Sequence, residues 1–388
     1  MINGAKKIIK TLNEKGHLAY MVGGCVRDII MNNTPYDYDI TTSATPEEIM
    51  KIFPHTAPTG LKHGTVTVIS DGFTYEVTTF RIDGKYLGNR RPESVTFSKS
   101  LKDDVKRRDF TINSIAYSDE EGFIDYFGGK ADIENKIIRT VNNPYDRFNE
   151  DALRILRGIR FSSRFGFDIH KDTFNAMREL MHLIKNISGE RIFDELTKMF
   201  EKSPYEACLL LEESSFFKTV SFEINKENIT KLKDLKIKSF EAVFSILTEN
   251  ITGYENFLNS LKPSNKVKNT IKKIKNSLKY PLNTKEELKL LLYQEGCEDI
   301  IYDIIEVRKA LGIKSPDLTL LYNEIKDNNE CFLIKDLKIN GTDLSEKGLK
   351  GEEIKNALDT IIRNVIEGKV SNDKNEIIKH TFKSAEQL

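Results

Sequence analysis

The residues best suited to chemistry lie early in the chain. Val22-Gly23-Gly24-Cys25-Val26-Arg27-Asp28 follows a short apolar run, Leu18–Val22, and opens a helical pattern. Paired glycines let backbone N–H groups come close to an anion, and the start of a helix favours negative charge. Arg27 stands one turn into that helix, where a guanidinium can clamp a phosphate oxygen. Tyr36-Asp37-Tyr38-Asp39-Ile40-Thr41 then sets two carboxylates at i and i+2 of an extended segment, so that both project from one face. Two like charges so placed repel unless a cation sits between them. Mg²⁺ takes one or two carboxylates and completes its shell with water and phosphate oxygens, and a pair of such ions can bridge an attacking hydroxyl and a triphosphate. The pattern points to metal-assisted phosphoryl or nucleotidyl transfer, with Asp37 and Asp39 as the ligands. Each motif alone has a plainer use, since Gly-Gly between strand and helix is also an ordinary turn and an acid pair after Asn33-Thr34-Pro35 is also an acidic loop. Their succession favours the chemistry.

Further along, Lys106-Arg107-Arg108-Asp109-Phe110-Thr111-Ile112-Asn113 sets two arginines beside an apolar segment. Guanidinium groups there suit a triphosphate, although a solvated basic face is the commoner fate of such a run. Glu76, on a strand of a hairpin pattern, is a third acidic group within reach of the same chemistry and equally a surface residue. The segment from Glu150 to Phe161, EDALRILRGIRF, reads as one helix with a polar residue at every third position. Members at that spacing rotate by about 60° around the helix, so the stripe winds and cannot meet one base along its whole length. Asp151 and Arg154, neighbours at i and i+3, pair an acceptor with a donor and suit the edge of a nucleotide base, leaving Arg157 and Arg160 for ribose, phosphate or RNA. The alternative is a local ion pair worth roughly a few tenths of a kcal/mol.

These side chains need elements to position them. Ala5–Lys15 has helical periodicity, Leu18–Val22 reads as a strand, and Val66–Ile69 and Phe73–Phe80 flank Asp71-Gly72, a two-residue hairpin signal. An α/β region on a small mixed or antiparallel sheet follows, and from about Asn142 the spacing turns helical, as in Asp151–Phe161, Arg191–Phe200 and Ile354–Ile366. With 388 residues, 39% apolar and 30% charged, the chain has room for roughly two to four globular domains. Lys+Arg and Asp+Glu balance at 59 each, so a polyanionic partner would have to meet a local cluster of positive charge. The lysine-dense stretch from Leu261 offers one, with Lys266, Lys268, Lys272 and Lys273 as candidate RNA contacts and a solvated helix face as the alternative. Cys25, Cys208, Cys297 and Cys331 form no CxxC pair, which argues against a zinc knuckle or a disulfide framework. No run approaches the ~18 apolar residues of a membrane span, and Met1–Gly16 lacks the apolar core of a signal peptide, so a soluble cytoplasmic protein is expected.

Taken together, GGCVRD, DYDIT, GLKHGTV, RRPESVTF, KRRDFTINSIA, DYFGG, EDALRILRGIRF and ISGERIFDEL resemble the class II tRNA nucleotidyltransferase (CCA-adding enzyme) and bacterial poly(A) polymerase superfamily. The order and spacing match over residues 17–200, with looser similarity beyond. The resemblance implies an α+β protein. A DNA polymerase β-like nucleotidyltransferase head (1–137), a mixed or antiparallel sheet with helices, is followed by an all-α neck (138–203), body (204–325) and tail (326–388). It implies that Asp37 and Asp39 bind catalytic Mg²⁺; that Gly24, Arg27 and Arg108 hold the triphosphate; and that Asp151, Arg154, Arg157 and Arg160 form the nucleotide pocket. Gly128-Gly129 resembles the hinge between head and neck, and Glu190-Arg191 the motif that braces the pocket. The implied partners are CTP and ATP as substrates and the 3′ end of tRNA. GLKHGTV resembles the CCA-adding form, and Arg81–Pro92 the flexible loop that CC-adding relatives lack. Poly(A) polymerase, an A-adding enzyme, and a catalytically silent RNA-binding protein of the same fold are the alternatives. Tyr126 and Gly189 depart from the family pattern, which commonly has proline at the first position and often a larger residue at the second.

Overall fold

Helix α1 (Ile2–Glu14) turns Gly4, Ala5, Ile8, Ile9 and Leu12 inward at helical spacing and packs on the strand that follows it. That strand, β1 (Ala19–Val22), belongs to a sheet with β2 (Ile40–Thr42), β3 (Thr56–Gly60), β4 (Thr65–Ser70) and β5 (Phe73–Thr79). Two short antiparallel ribbons come next, β6 (Arg81–Asp83) with β9 (Val95–Phe97) and β7 (Tyr86–Leu87) with β8 (Arg91–Pro92). Strands β10 (Ile115–Ser118) and β11 (Gly122–Asp125) then return to the main sheet, whose seven strands run β11-β10-β1-β2-β5-β4-β3. Its neighbours are antiparallel except β2 and β5, which are parallel, so the sheet is mixed as expected and larger than expected. Ser70 pairs with Phe73 across the two-residue turn, where Asp71 and Gly72 take φ of 51° and 78°; Asp-Gly accepts those left-handed angles at low cost. The computed structural model describes residues 1–84, 86–87, 91–92 and 94–383. Within the expected flexible loop Arg81–Pro92, Lys85 and 88–90 therefore lie outside the described residues.

Six further helices shape the first unit around the sheet: α2 (Gly24–Ile30), α3 (Pro46–Ile52), α4 (Leu101–Lys106), α5 (Gly129–Glu134), α6 (Pro144–Glu150) and α7 (Leu153–Phe165). α8 (Lys171–Leu180) and α9 (Gly189–Phe200) pack on α6 and α7 respectively. The region after Asn142 is not purely helical, because Asp168–Ile169 pairs in parallel with Ile137–Ile138. By internal contacts the chain forms two units, Met1–Glu223 with Gly253–Lys262, and Ile224–Thr252 with Pro263 onward. The expected head and neck thus share one unit, and the expected body (204–325) is divided between the two. Gly189 fits a close approach within the first unit: a Cβ there would lie 1.9 Å from the Ser260 carbonyl oxygen. A larger side chain has no room at that point.

The second unit is helical throughout its described residues. One of its cores gathers Leu337, Ile339, Leu344, Ile361, Ile362, Ile366, Val370 and Ile377. Another is organised by a charge. Arg308 is wholly buried and donates to the carbonyls of Ser277 (2.9 Å), Tyr280 (3.0 Å) and Pro281 (3.1 Å), at the C-terminal end of helix Asn265–Ser277. The orphan carbonyls and the negative end of that helix dipole answer a cation that has no carboxylate partner among the described residues. Arg308→Leu strips one buried and two partly buried acceptors of their donor, so we expect unfolding stability to fall by about 3 kcal/mol. Urea denaturation followed by circular dichroism measures it, and a loss below about 0.5 kcal/mol would mean that water replaces the guanidinium.

Candidate active site

Burial sorts the acidic segment by parity. Tyr38 and Ile40 point into the core, whereas Asp37 is exposed and Asp39 is partly exposed, as an extended chain alternating between two environments requires. The Asp39 carbonyl accepts from the Val22 N–H (3.0 Å), which fixes the acid beside β1. Ile40 pairs with Val77, and both side chains are buried, so Glu76, one step before Val77, shares the face of Asp39. Burial is the main cause that pushes the Asp39 carboxyl up to about 6; Arg108 pulls it back, while the charges of Asp37 and Glu76 add to the rise. A cation would relieve this crowding. Among the described residues no three His, Cys, Asp or Glu side chains converge to hold a metal by themselves. The all-oxygen pair Asp37 and Asp39 therefore suits an ion that takes two protein carboxylates and the rest of its shell from water and phosphate, as Mg²⁺ does.

Gly23 links this pair to the basic residues. It takes φ of 84°, and a Cβ on it would lie 3.0 Å from Nη1 of Arg108 and 3.7 Å from Oδ2 of Asp39. The glycine therefore lets a guanidinium and a carboxylate both approach the same stretch of bare backbone. Arg108 is held loosely from behind by Asp104 (3.4 Å), and its buried Nε has no hydrogen-bond partner among the described residues. Asp104 is fully buried, accepts from Thr41 Oγ1 (3.0 Å), and also binds Arg107 (2.8 Å). Burial works to raise its carboxyl, but Arg107 and Arg108 outweigh that and hold it below the usual range. Arg27 is buried, with Asp28 and Asn113 accepting from its guanidinium. Gly24 lies against the same guanidinium, its missing Cβ 3.5 Å from Nη2 of Arg27.

The segment Glu150–Phe161 is not one helix. α6 ends at Glu150, Asp151 is extended at φ −141° and ψ 103°, and α7 begins at Leu153. Asp151 and Arg154 are consequently not the i,i+3 ion pair that a continuous helix would make. Asp151 is gripped by both terminal nitrogens of Arg191 (3.2 and 2.8 Å) and accepts from the Leu153 N–H (3.2 Å). Arg154 binds Glu150 (2.6 Å) and donates to the carbonyls of Arg147 (3.2 Å) and Arg107 (3.0 Å). Arg157 meets Asp109 (2.7 Å), and Arg160 is buried against Glu195 (2.6 Å). Of the expected brace Glu190-Arg191, Arg191 pairs with Asp151, whereas Glu190 meets Lys262 (3.0 Å). Asp104 and Phe165 have no motif to mark them, and only the fold brings them here; Asp109 and Asn113, within KRRDFTINSIA, and Glu195, within ISGERIFDEL, sit in motifs that assign them no role.

The lysines of helix Asn265–Ser277 occupy the second unit. At about 100° per residue, Lys268 and Lys272 flank one side of the buried Ile271–Ile274 stripe and Lys266 and Lys273 the other. Lys273 donates to the Gly296 carbonyl and Lys275 to that of Thr248, so part of the run caps neighbouring helices. Lys266 and Lys272 are exposed.

Residues 19–139 match the poly A polymerase head domain, 166–226 a polymerase A segment named for RNA and SrmB binding, and 228–381 the tRNA nucleotidyltransferase domain 2. The CCA-adding enzyme of Staphylococcus haemolyticus is 40% identical, over 98% of this chain and 97% of its own length. The chain belongs to the CCA-adding enzyme family. The CCA-adding enzyme of Ligilactobacillus salivarius is 37% identical over 99% of this chain and 96% of its own length. The Bacillus stearothermophilus CCA-adding enzyme, solved in complex with CTP, superposes with a TM-score of 0.84 at 33% identity, over 100% of this chain and 98% of that one. The Thermotoga maritima CCA-adding enzyme, solved with tRNA, shares the fold at a TM-score of 0.71 and 22% identity, over 99% of this chain and 95% of that one.

For this member of the family, the Asp109–Arg157 pair carries an acid-stability signature. Burial works to raise the Asp109 carboxyl, but Arg157 and the Phe110 N–H hold it at about 2. The folded value lies below the unfolded one of about 4, so the pair's stabilisation is complete above about pH 4 and disappears as pH falls toward 2. Asp109→Asn should cost about 2 kcal/mol near neutral pH, with the gap to wild type closing below about pH 4. Denaturant titrations across pH test this, and a gap independent of pH would assign the loss to packing.

Proposed function

We propose that this chain adds C, C and A in turn to the 3′ end of tRNA without a nucleic-acid template, using CTP and ATP. The observation that carries the reading is the approach of both Asp39 and Arg108 to the bare backbone of Gly23. A carboxylate for a metal and a guanidinium for a triphosphate stand side by side there, as nucleotidyl transfer requires. The tRNA 3′-OH attacks the α-phosphate and pyrophosphate leaves. Asp37 and Asp39 would hold Mg²⁺, which when bound polarises the phosphate and favours the hydroxyl as nucleophile. Arg108, whose Nε has no partner among the described residues, and Arg27 bind the triphosphate, and Gly24 keeps the backbone close to it. The site divides between a head (1–137) and a neck (138–203), while body (204–325) and tail (326–388) carry the RNA, with Lys266, Lys268 and Lys272 among its phosphate contacts. Acting on tRNA, the protein would work in the cytoplasm.

Base choice falls to the junction between α6 and α7. Cytosine and adenine each offer an amine donor beside a ring-nitrogen acceptor, so one acceptor and one donor recognise both. Asp151 is the acceptor. Arg191 and the Leu153 N–H occupy three of its four lone-pair sites, and one on Oδ2 is left to face an exocyclic amine. Arg154 is the donor, exchanging a protein acceptor for the ring nitrogen. Arg157 and Arg160 complete the pocket wall, anchored by Asp109 and Glu195. Uracil and guanine turn a carbonyl to the carboxylate and an N–H to the guanidinium, which costs roughly 1–3 kcal/mol per unsatisfied group.

Asp37→Ala or Asp39→Ala is expected to abolish nucleotide addition to a tRNA lacking CCA while tRNA affinity stays within about threefold. Sequencing the 3′ ends after incubation with CTP and ATP reads the first, filter binding the second; full activity in either variant would remove the metal assignment. Asp151→Ala should lower CTP and ATP use and shrink the CTP-to-UTP incorporation ratio by about tenfold or more. A wild-type ratio would return Asp151 to a purely structural pair with Arg191.

A further inference from the structure

Arg27 is held in a way that its motif does not explain. It is 5% exposed, and its Nε and Nη2 donate to Asp28 (2.9 and 2.7 Å) while Nη1 donates to Asn113 (2.7 Å). One N–H remains on each terminal nitrogen. The flat face of the guanidinium lies over Phe165, 4.7 Å from the ring centroid, and more distantly over Phe161 at 5.5 Å. Those rings come from α7 and are nearly parallel, at 4°. Asn113 is itself fixed, donating to Asp109 (3.2 Å), which in turn holds Arg157 of α7 (2.7 Å). Arg27 is thus joined to α7 twice, at its edge through Asn113, Asp109 and Arg157, and at its face through Phe165.

We propose that Phe165 and Asn113 are positioning residues for nucleotidyl transfer, aligning Arg27 on the triphosphate and tying it to the helix that starts beside Asp151 and Arg154. This rests on the reading of Arg27 as a triphosphate ligand. A guanidinium pinned at edge and face has little rotation left, so its two remaining N–H groups point in set directions before substrate arrives. The pinning helix is also the one whose first turn carries Arg154, so α7 ties the position of the triphosphate clamp to that of the base reader. Phe165 is only half-buried, and the contact between Phe110 and Phe161 stands without it, so Phe165→Leu can remove the aromatic face while leaving the core in place.

Single-nucleotide addition by the full chain to a tRNA lacking its final nucleotides, with CTP and then ATP varied, tests the proposal. The enzymes are wild type, Phe165→Leu, Phe165→Tyr, Asn113→Ala, Arg27→Ala and the Arg27→Ala/Phe165→Leu double variant, each checked by thermal melting. Phe165→Leu and Asn113→Ala should each lower kcat/KM for CTP and ATP alike by about tenfold, with Phe165→Tyr within about twofold of wild type. In the Arg27→Ala background Phe165→Leu should cost nothing more, because the residue it positions is gone. If Phe165→Leu lowers the Arg27→Ala enzyme by the same factor as wild type, or Phe165→Tyr falls as far as Phe165→Leu, the positioning role is overturned while the triphosphate role of Arg27 stands. If Arg27→Ala itself keeps the wild-type kcat/KM, both fall together.

Discussion

An arginine can be buried only beside something that answers its charge, and the surroundings of α7 are organised by that requirement. Arg154 has Glu150, Arg157 has Asp109, Arg160 has Glu195, and Arg191 has Asp151. On the sheet side Arg107 and Arg108 share Asp104, and Arg27 takes the neighbouring Asp28. Each pairing gives up most of a guanidinium's freedom in advance, so the cations that would receive a nucleotide are already in place. These seven arginines answer to six acids, in keeping with a chain whose 59 basic and 59 acidic residues balance.

The acid pair faces the opposite problem. Asp39 is crowded by burial and by Asp37 and Glu76, and among the described residues Arg108 relieves it. Two like charges held together in this way repel, and a proton or a cation relieves them. The strand order explains how this is arranged, since β2 sits centrally between β1 and β5 and delivers the acids to the edge where the Gly23 turn arrives.

Local patterns were legible in the sequence. The Asp71-Gly72 hairpin, the Gly23 turn and the parity of Asp37 with Asp39 each depend on a few adjacent residues, and each stands as read. Pairing across distance was not. Spacing made Asp151 and Arg154 neighbours, but Arg191, forty positions on, outcompetes Arg154 for that carboxylate, and the helix breaks to let it. The lysine run suggested one RNA-facing surface, yet Lys273 and Lys275 are committed to carbonyls of other elements. Asp104, wholly buried, lies in LKDDVK, which looks like any solvated helix start. A charged residue's partner is set by tertiary geometry, and composition carries no trace of it.

The first unit is completed by a segment that comes late in the chain. Helix Tyr254–Ser260 belongs to it, although residues 224–252 belong to the second. Its Phe257 ring stacks on Phe222 at 4.1 Å, and its Ser260 carbonyl fills the space that Gly189 leaves open. A polypeptide leaving the ribosome must therefore hold its first unit unfinished, with Phe222 uncovered, until the residues up to Lys262 have emerged. The order of synthesis and the order of folding differ here, and a nascent chain stalled between Glu223 and Gly253 would carry an apolar edge that a chaperone or another nascent chain could find first.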